Sequence, residues 1–332
     1  MRISAVRREV SKALLAFAWD QWAQMGVSAS AGRPDRRTAD PEALLLLTFE
    51  VGRDDPRLFD EVLDWLIVNE RLISIQRLRN LARDEEDRAL VEAALGWLSR
   101  WRPRARLAAR RARATSGDHA AGRPLFRATD AAIHRPDDAF LRHGLLRPEV
   151  APSHKSQAPD LEAPINFAFR MRYLLGVGAR AEVMRALLCS EAPRLSVYVL
   201  AEAAGYSKRN VQEALTSLAR ARVIDVITIA NEQRYGVDRD RWAQLLDLDK
   251  LPVLVDWPQL LHALRRILRW LHDTGADELS AYMLASEARV LIEELAPELR
   301  YAGVAAYDSH ARGPEYWPQF VAIVRAAVSI LS

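Results

Sequence analysis

The 332-residue chain contains little cysteine, little lysine and no long apolar run. Its single cysteine, Cys189, excludes an internal disulfide and a cysteine-based zinc finger. Cys189 falls on the apolar side of a predicted helix, so we expect a buried, unreactive thiol. No segment approaches the roughly 20 apolar residues that a membrane-spanning helix requires. We therefore expect a cytoplasmic protein with no membrane partner.

The sequence also lacks the motifs of common enzyme classes. It has no phosphate-binding loop, no G-x-G-x-x-G after a strand and no H-E-x-x-H pair. Acidic clusters at 84–87 and 134–138 lie in polar segments, with no apolar pattern around them to form a pocket. We therefore expect a protein that is not an enzyme and needs neither a cofactor nor a metal ion.

Basic residues are almost all arginine, since 43 of the 47 are Arg and four are Lys. This bias, together with the high alanine content, is typical of a GC-rich genome, so single arginines carry little weight. Between residues 100 and 127, however, nine arginines accompany only one acidic residue. We interpret 102–165 as an Arg-rich linker, which either contacts phosphates or is simply solvated.

The most informative segment is residues 200–218, LAEAAGYSKRNVQEALTSL. Gly205 stands where a first helix must end in a left-handed residue. Ser207 stands where the next helix needs a side-chain oxygen for its unpaired N–H groups. Val211, Leu215 and Leu218 then form one apolar stripe on that second helix. The pattern predicts a helix-turn-helix.

The flanking sequence indicates which kind of helix-turn-helix this is. The β-branched run 223–229, a polar turn at 230–233 and the segment 234–237 predict a hairpin. Residues 178–188 supply a preceding helix, and Asp238 caps a closing helix whose Trp242, Leu245 and Leu246 are expected to cover the core. From about 168 to 249 the chain resembles the winged-helix DNA-binding domains of bacterial regulators.

The resemblance implies that the second helix enters the major groove of DNA. The outward residues that would read or contact DNA are Arg209, Gln212, Glu213, Thr216 and Arg220, with Ser207, Lys208 and Asn210 in the first turn. Asn231, Gln233 and Arg234 of the hairpin are candidates for the minor groove or backbone. Arg180 is a candidate phosphate contact, unless it pairs with Glu182. The alternative for the whole set is an ordinary solvated surface.

Outside this segment the sequence predicts further helices, and the fold class is mainly α. We divide the chain into an N-terminal helical domain (1–101), the linker (102–165), a winged helix-turn-helix domain (166–250) and a C-terminal helical domain (251–332). Asp40-Pro41 and Asp55-Pro56 predict two helix starts in the first domain. The final apolar helix, 320–331, is either buried within the chain or forms a dimer interface.

A helix beginning after Ser74 allows two interpretations. It presents Gln76, Arg77, Arg79 and Asn80, which are suited to a second DNA-reading helix. However, no glycine turn precedes it and no hairpin follows it, so a plain helical bundle with solvated arginines is the alternative.

The function that this sequence predicts is sequence-specific DNA binding by a homodimeric transcriptional regulator. An antitoxin-like or phage-defence regulator that also binds a partner protein is a second reading. A protein-interaction scaffold that binds no DNA is a third, since basic residues exceed acidic ones by only three in 166–250.

Overall fold

A computed structural model describes residues 2–30, 32, 36–102, 122–127, 133–273, 277–304, 311 and 313–332. Over these residues the chain is mainly helical with small sheets, as the sequence predicts. The helices in these ranges are α1 (Ile3–Gln24), α2 (Pro41–Val51), α3 (Pro56–Asn69), α4 (Ile75–Leu81), α5 (Glu85–Trp101), α6 (Asp138–Leu141), α7 (Phe167–Leu175), α8 (Ala179–Cys189), α9 (Val197–Ala204), α10 (Lys208–Arg220), α11 (Arg239–Leu245), α12 (Trp257–Leu271), α13 (Ala281–Tyr301) and α14 (Tyr316–Ser329). None of them is both long enough and apolar enough to cross a bilayer.

Helices α1 to α5 and α12 to α14 share one hydrophobic core, and we call them the helical body. Helix α2 lies at its centre. All of its residues are buried, as expected for a helix that is apolar around almost its whole circumference. The two predicted helix starts are confirmed. The Asp40 carboxylate accepts a hydrogen bond from the backbone N–H of Ala43, and the Asp55 carboxylate caps α3 in the same way.

The N-terminal and C-terminal helices share one hydrophobic core. Apolar side chains of α1, α2, α3 and α5 form a continuous cluster with those of α12, α13 and α14. Phe320 of α14 is completely buried, and its ring centroid lies 5.3 Å from that of Trp270 on α12. The final helix is thus buried within the chain, whereas the sequence left a dimer interface open. The segments 1–101 and 251–332, assigned above to two domains, meet in this cluster.

Part of the segment assigned to a linker also enters this core. Leu125, Phe126, Phe140 and Leu145 are buried in the same cluster. Strands β1 (Arg123–Pro124) and β2 (Leu145–Leu146) pair in parallel. The most arginine-rich stretch, 103–121, lies outside the described residues, so its contribution to DNA binding remains a prediction.

A second hydrophobic cluster is formed by α7 to α10, Leu195, Ile224, Tyr235 and Leu246. The strands β3 (Leu195–Ser196), β4 (Asp225–Ile229) and β5 (Glu232–Gly236) form an antiparallel sheet in the order β3-β5-β4. Leu246 is buried, but Leu245 is 71% exposed and does not cover the core as we expected. Cys189 is buried as predicted, and burial raises the pKa of its thiol to about 12.

Candidate nucleic-acid interface

The turn between α9 and α10 has the geometry that its residues predict. Gly205 ends α9 in the left-handed region, with φ +67°, and its N–H donates to the carbonyl oxygen of Ala201 at 3.0 Å. The hydroxyl of Ser207 accepts the backbone N–H of Asn210 at 3.2 Å and so caps α10. These two residues set the angle at which α10 leaves α9.

Helix α10 buries one face and exposes the other. Val211, Leu215 and Leu218 are buried against α8 and α9, as the apolar stripe predicts. The opposite face is exposed and carries the residues selected from the sequence, Arg209, Gln212, Glu213, Thr216 and Arg220. Ser217 is exposed beside them and was missed, although its position one turn after Glu213 on the helix indicates this face.

The polar side chains on this face make only weak internal contacts. Arg209 pairs with Glu213 at 3.1 Å, but the two side chains are 88% and 65% exposed. The Nζ atom of Lys208 lies 4.6 Å from the ring centroid of Tyr198. Because exposed ion pairs contribute about 0–1 kcal/mol, these groups can exchange their partners for an external ligand at little cost.

The hairpin of β4 and β5 lies beside α10 and is joined to it by hydrogen bonds. Gln212 Nε2 donates to the hydroxyl of Tyr235 at 3.2 Å, and that hydroxyl donates to Gln233 Oε1 at 2.7 Å. The hydroxyl thus connects the helix to the strand. Arg234 pairs with Glu232 at 2.7 Å and is only partly exposed.

The turn of the hairpin is tighter than the sequence indicates. Ile229 pairs with Glu232, so the loop consists of Ala230 and Asn231 alone. Both have positive φ, +48° and +67°, as the central residues of a type I′ turn require. Asn tolerates this conformation, whereas Ala does not favour it. Asn231 is exposed at the tip of the hairpin.

A cleft of about 610 Å³ separates α10 from the turn that precedes α8. Arg180 and Asn210 line this cleft together with Ser217 and with Gln76 of α4. Arg180 is exposed and has no ion pair among the described residues, because Glu182 turns into the interior instead. The structure thus brings Arg180 close to the exposed face of α10.

Six buried charges lie behind this surface and were not predicted. Arg172 pairs with Glu42 at 2.7 Å and with Glu182 at 2.6 Å. The remaining contacts join Arg77 to Asp40 and Glu42, and Arg185 to Asp40 and Glu182. We call these three arginines and three acids the buried ion cluster. It joins α2 and α4 of the helical body to α7 and α8.

Mutual pairing keeps the buried ion cluster ionised. Burial alone would raise the pKa of Asp40, but the nearby charges of Arg77 and Arg185 outweigh it, and the pKa lies below its ordinary value. For Glu182 the same balance, with Arg172 and Arg185, holds the pKa far below its ordinary value. Burial would lower the pKa of Arg77, but the facing carboxylates raise it.

The helix considered as a second DNA-reading helix, α4, instead contacts the turn between α9 and α10. Arg77 is completely buried, and Asn80 Nδ2 donates to the carbonyl oxygen of Gly205 at 3.2 Å. Arg79 forms a salt bridge of 2.6 Å with Glu92. Of the four side chains, only Gln76 lies next to α10. Arg77 and Arg79 thus have partners within the chain, whereas the bundle interpretation expected them to be solvated.

The acidic segments at 84–87 and 134–138 also pair internally. Asp84 and Asp87 come within 4.8 Å of His262, a spacing compatible with metal ligation. Both carboxylates, however, are occupied by arginines of α12, since Asp87 contacts Arg265 and Arg269 at 2.6 and 2.8 Å and Asp84 contacts Arg269 at 3.0 Å. Burial, reinforced by the charge of Arg265, lowers the pKa of His262 to about 3.

The second acidic segment has a capping role. Asp137 caps α6 by accepting the N–H of Ala139, and its carboxylate pairs with Arg100 at 3.1 Å. Both acidic segments thus have internal partners, whereas the exposed face of α10 has, among the described residues, only the exposed ion pair Arg209–Glu213. No protein-family model, curated protein or solved structure matches the chain.

Proposed function

We propose that residues 166–250 form a winged helix-turn-helix domain and that the protein is a sequence-specific DNA-binding transcriptional regulator. The observation that carries the proposal is the exposed face of α10, which offers five polar side chains opposite a buried apolar stripe. An α-helix of this kind fits the major groove of B-DNA. Gly205, Ser207 and the hairpin give α10 the surroundings of a recognition helix.

The chemistry of this face suits base edges. Gln212 can pair with adenine, Arg209 with guanine, and Glu213 can accept from the amino group of cytosine. Thr216 and Arg220 lie on the same face, about one and two turns after Gln212. Arg180, Lys208 and Arg234 are suited to phosphate contacts. Asn210 lines the same cleft as Arg180, and Asn231 and Gln233 lie on the hairpin.

We further propose that the regulator is a homodimer, as two half-sites one helical turn apart would require. The final helix cannot supply the interface, because its apolar side chains are inside the chain. Helix α13 instead exposes Tyr282, Met283 and Val290. Light scattering of the full chain and of the Val290→Glu variant tests this proposal. If the full chain is a monomer, or if the variant is still a dimer, α13 is not the interface.

One observation favours the reading in which the regulator also binds a partner protein. Strand β4 forms an edge of its sheet, and all five of its residues are exposed, including Val226, Ile227 and Ile229. An exposed apolar edge strand is open to pairing with a strand from another chain. A partner encoded beside this gene is the candidate, and co-purification of the two proteins tests it.

The decisive experiment measures binding of the full chain to duplex DNA from its own upstream region, with a scrambled duplex as the control. If about five phosphates are neutralised, log affinity falls with log salt with a slope of about −4 to −5. A clear preference for the upstream duplex supports the regulator. Absence of binding at low salt rejects DNA binding and leaves the interaction scaffold.

A further inference from the structure

Helix α4 of the helical body presents one side chain beside α10. Gln76 is exposed, and it lines the cleft of about 610 Å³ together with Asn210 and Ser217 of α10. The turn 175–180, which ends with Arg180, also lines this cleft. The helical body thus contributes to a cleft that borders the surface proposed to bind DNA, although that surface was assigned to residues 166–250 alone.

Hydrogen bonds fix the position of α4 relative to the turn before α10. Residues 204–206 each form one hydrogen bond with α4 or with the residue that caps it. These bonds join Arg77 to Ala204 at 2.6 Å, Asn80 to Gly205 at 3.2 Å, and Ser74 to Tyr206 at 2.7 Å. Gln76 lies among the α4 residues that make these bonds. Its position beside α10 is therefore set before any ligand binds.

The cleft follows one side of α10. Asn210, Glu213 and Ser217 line it at intervals of three and four residues, so they share that side of the helix over about 10 Å. A helix with its side chains is about 10–12 Å wide, and the major groove is about 12 Å wide. A helix that enters the groove therefore fills it, and residues that flank the helix meet the sugar-phosphate backbone at the groove edge. The cleft lies in this flanking position.

The polar groups in the cleft are free to bind phosphate. Within the part of the chain that the structure describes, four of its side chains have neither a hydrogen bond nor an ion pair, namely Gln76, Arg180, Asn210 and Ser217. Each of them can donate an N–H or O–H group to a phosphate oxygen. Glu213, the one acidic residue among the described lining residues, is paired with Arg209 at 3.1 Å.

We propose that Gln76 contacts the DNA backbone beside the groove that α10 enters. This inference rests on the proposed function and extends the DNA-contacting surface from residues 166–250 to α4 of the helical body. The contact positions the protein on the duplex and reads no sequence, because phosphates are the same at every base pair. Helix α4 thus contributes to DNA binding without being a second recognition helix.

The Gln76→Arg variant of the full chain gives the sharpest test. It adds a positive charge beside the backbone, so it should bind both the upstream duplex and the scrambled duplex about threefold to tenfold more tightly than the parent. The slope of log affinity against log salt should become steeper by about 1. Gln157→Arg adds the same charge at an exposed position outside the cleft and is the matched control. It should change the slope little.

The Gln76→Ala variant tests the contact by removing it. Binding to both duplexes should weaken by about twofold to tenfold, as expected for one hydrogen bond, and the salt slope should stay the same because glutamine is uncharged. Ethylation interference then locates the contact. At least one phosphate whose ethylation weakens binding of the parent should have no such effect on this variant. A purely structural role for Gln76 would leave this pattern unchanged and would not make Gln76→Arg bind more tightly.

Two results would overturn the inference. They are a Gln76→Arg variant that binds no more tightly than Gln157→Arg, and an ethylation pattern that is the same for Gln76→Ala and the parent. If the parent binds neither duplex at low salt, the proposed function fails and the inference fails with it. If the parent binds DNA and the variants at position 76 behave as the control does, only the inference fails.

Discussion

The Nε atom of Arg77, on α4, donates a hydrogen bond of 2.6 Å to the carbonyl oxygen of Ala204, the last residue of α9. The same guanidinium pairs with Asp40 and Glu42 at the start of α2. Ala204 immediately precedes Gly205 in the turn between α9 and α10. One buried side chain thus ties the helical body to the turn that orients α10.

Replacing Arg77 should be among the most destabilising single changes at this junction. Arg77→Met leaves Asp40 and Glu42 buried with less compensating charge, and should lower the free energy of unfolding by about 3–5 kcal/mol. Arg79→Met, two residues along the same helix, removes a half-exposed pair and should cost about 1 kcal/mol or less. Urea denaturation of both variants checks this, and equal losses would contradict a special role for the cluster.

The buried ion cluster also predicts a pH dependence. Glu182 has a folded pKa below its ordinary value of 4.5, so its contribution to stability is present above that value and is lost as the pH falls below it. Glu182→Gln should therefore destabilise the protein at pH 7, and the difference from the parent should narrow below about pH 4.5. Glu191→Gln, at an exposed position, is the control. A difference that stays constant down to pH 3 would show that Glu182 does not act through its charge.

Asp256, just before α12, should have the opposite effect on stability: its ionised form should destabilise the fold, whereas that of Glu182 stabilises it. Burial raises the pKa of this carboxyl to about 6, so ionising it in the folded protein costs free energy. The cost is absent below the ordinary pKa of 3.8 and grows as the pH rises towards 6. Asp256→Asn removes the charge while keeping the size of the side chain, and should stabilise the protein by about 1–2 kcal/mol at pH 7.

Urea denaturation at several pH values measures the effect of Asp256→Asn. The gain should disappear as the pH falls to about 4. Asp238→Asn, in the exposed cap of α11, is the matched control. A gain of the same size at every pH would mean that packing, and not charge, is responsible.

The features that depend on residues close in sequence were predictable, whereas contacts between residues far apart in sequence were not. Gly205, Ser207 and the apolar stripe of α10 were readable because caps, turns and helical periodicity depend on neighbours in sequence. The buried ion cluster was not readable, because Arg172 and Glu42 are 130 residues apart and each resembles an ordinary charged residue. Because arginine is so common in this chain, nothing in the sequence distinguished the three arginines of the buried ion cluster from exposed ones.

The sequence likewise did not show whether the final helix is buried within the chain or forms an interface. An apolar helix fits a core or an interface equally well, and only the packing of Phe320 against Trp270 distinguishes them. The sequence predicted a turn of four residues, 230–233, where the structure has the two residues Ala230 and Asn231, because Ala230 is an unusual residue for a type I′ turn.

That unusual residue gives a prediction about stability. Ala230 has φ +48°, a conformation that costs a residue with a Cβ atom about 1 kcal/mol and costs glycine little. Ala230→Gly should therefore raise the free energy of unfolding, by roughly 0.5–1 kcal/mol. Ala221→Gly, where φ is −76°, is the control and should lower it. Thermal unfolding of the two variants measures both signs, and a loss at position 230 would argue against the turn type.

Separate substitutions distinguish residues that read bases from residues that anchor the phosphate backbone. Gln212→Ala or Arg209→Ala should weaken binding to the preferred duplex by about 1–3 kcal/mol and binding to a scrambled duplex by less. Arg180→Ala should weaken both alike and reduce the salt slope by about 1. Arg8→Ala, an exposed arginine of α1, is the control and should change neither. Because Gln212 also holds the hydroxyl of Tyr235, a urea titration of this variant must show an intact fold. If Arg209 and Gln212 behave as Arg180 does, α10 contacts the backbone and does not read the sequence.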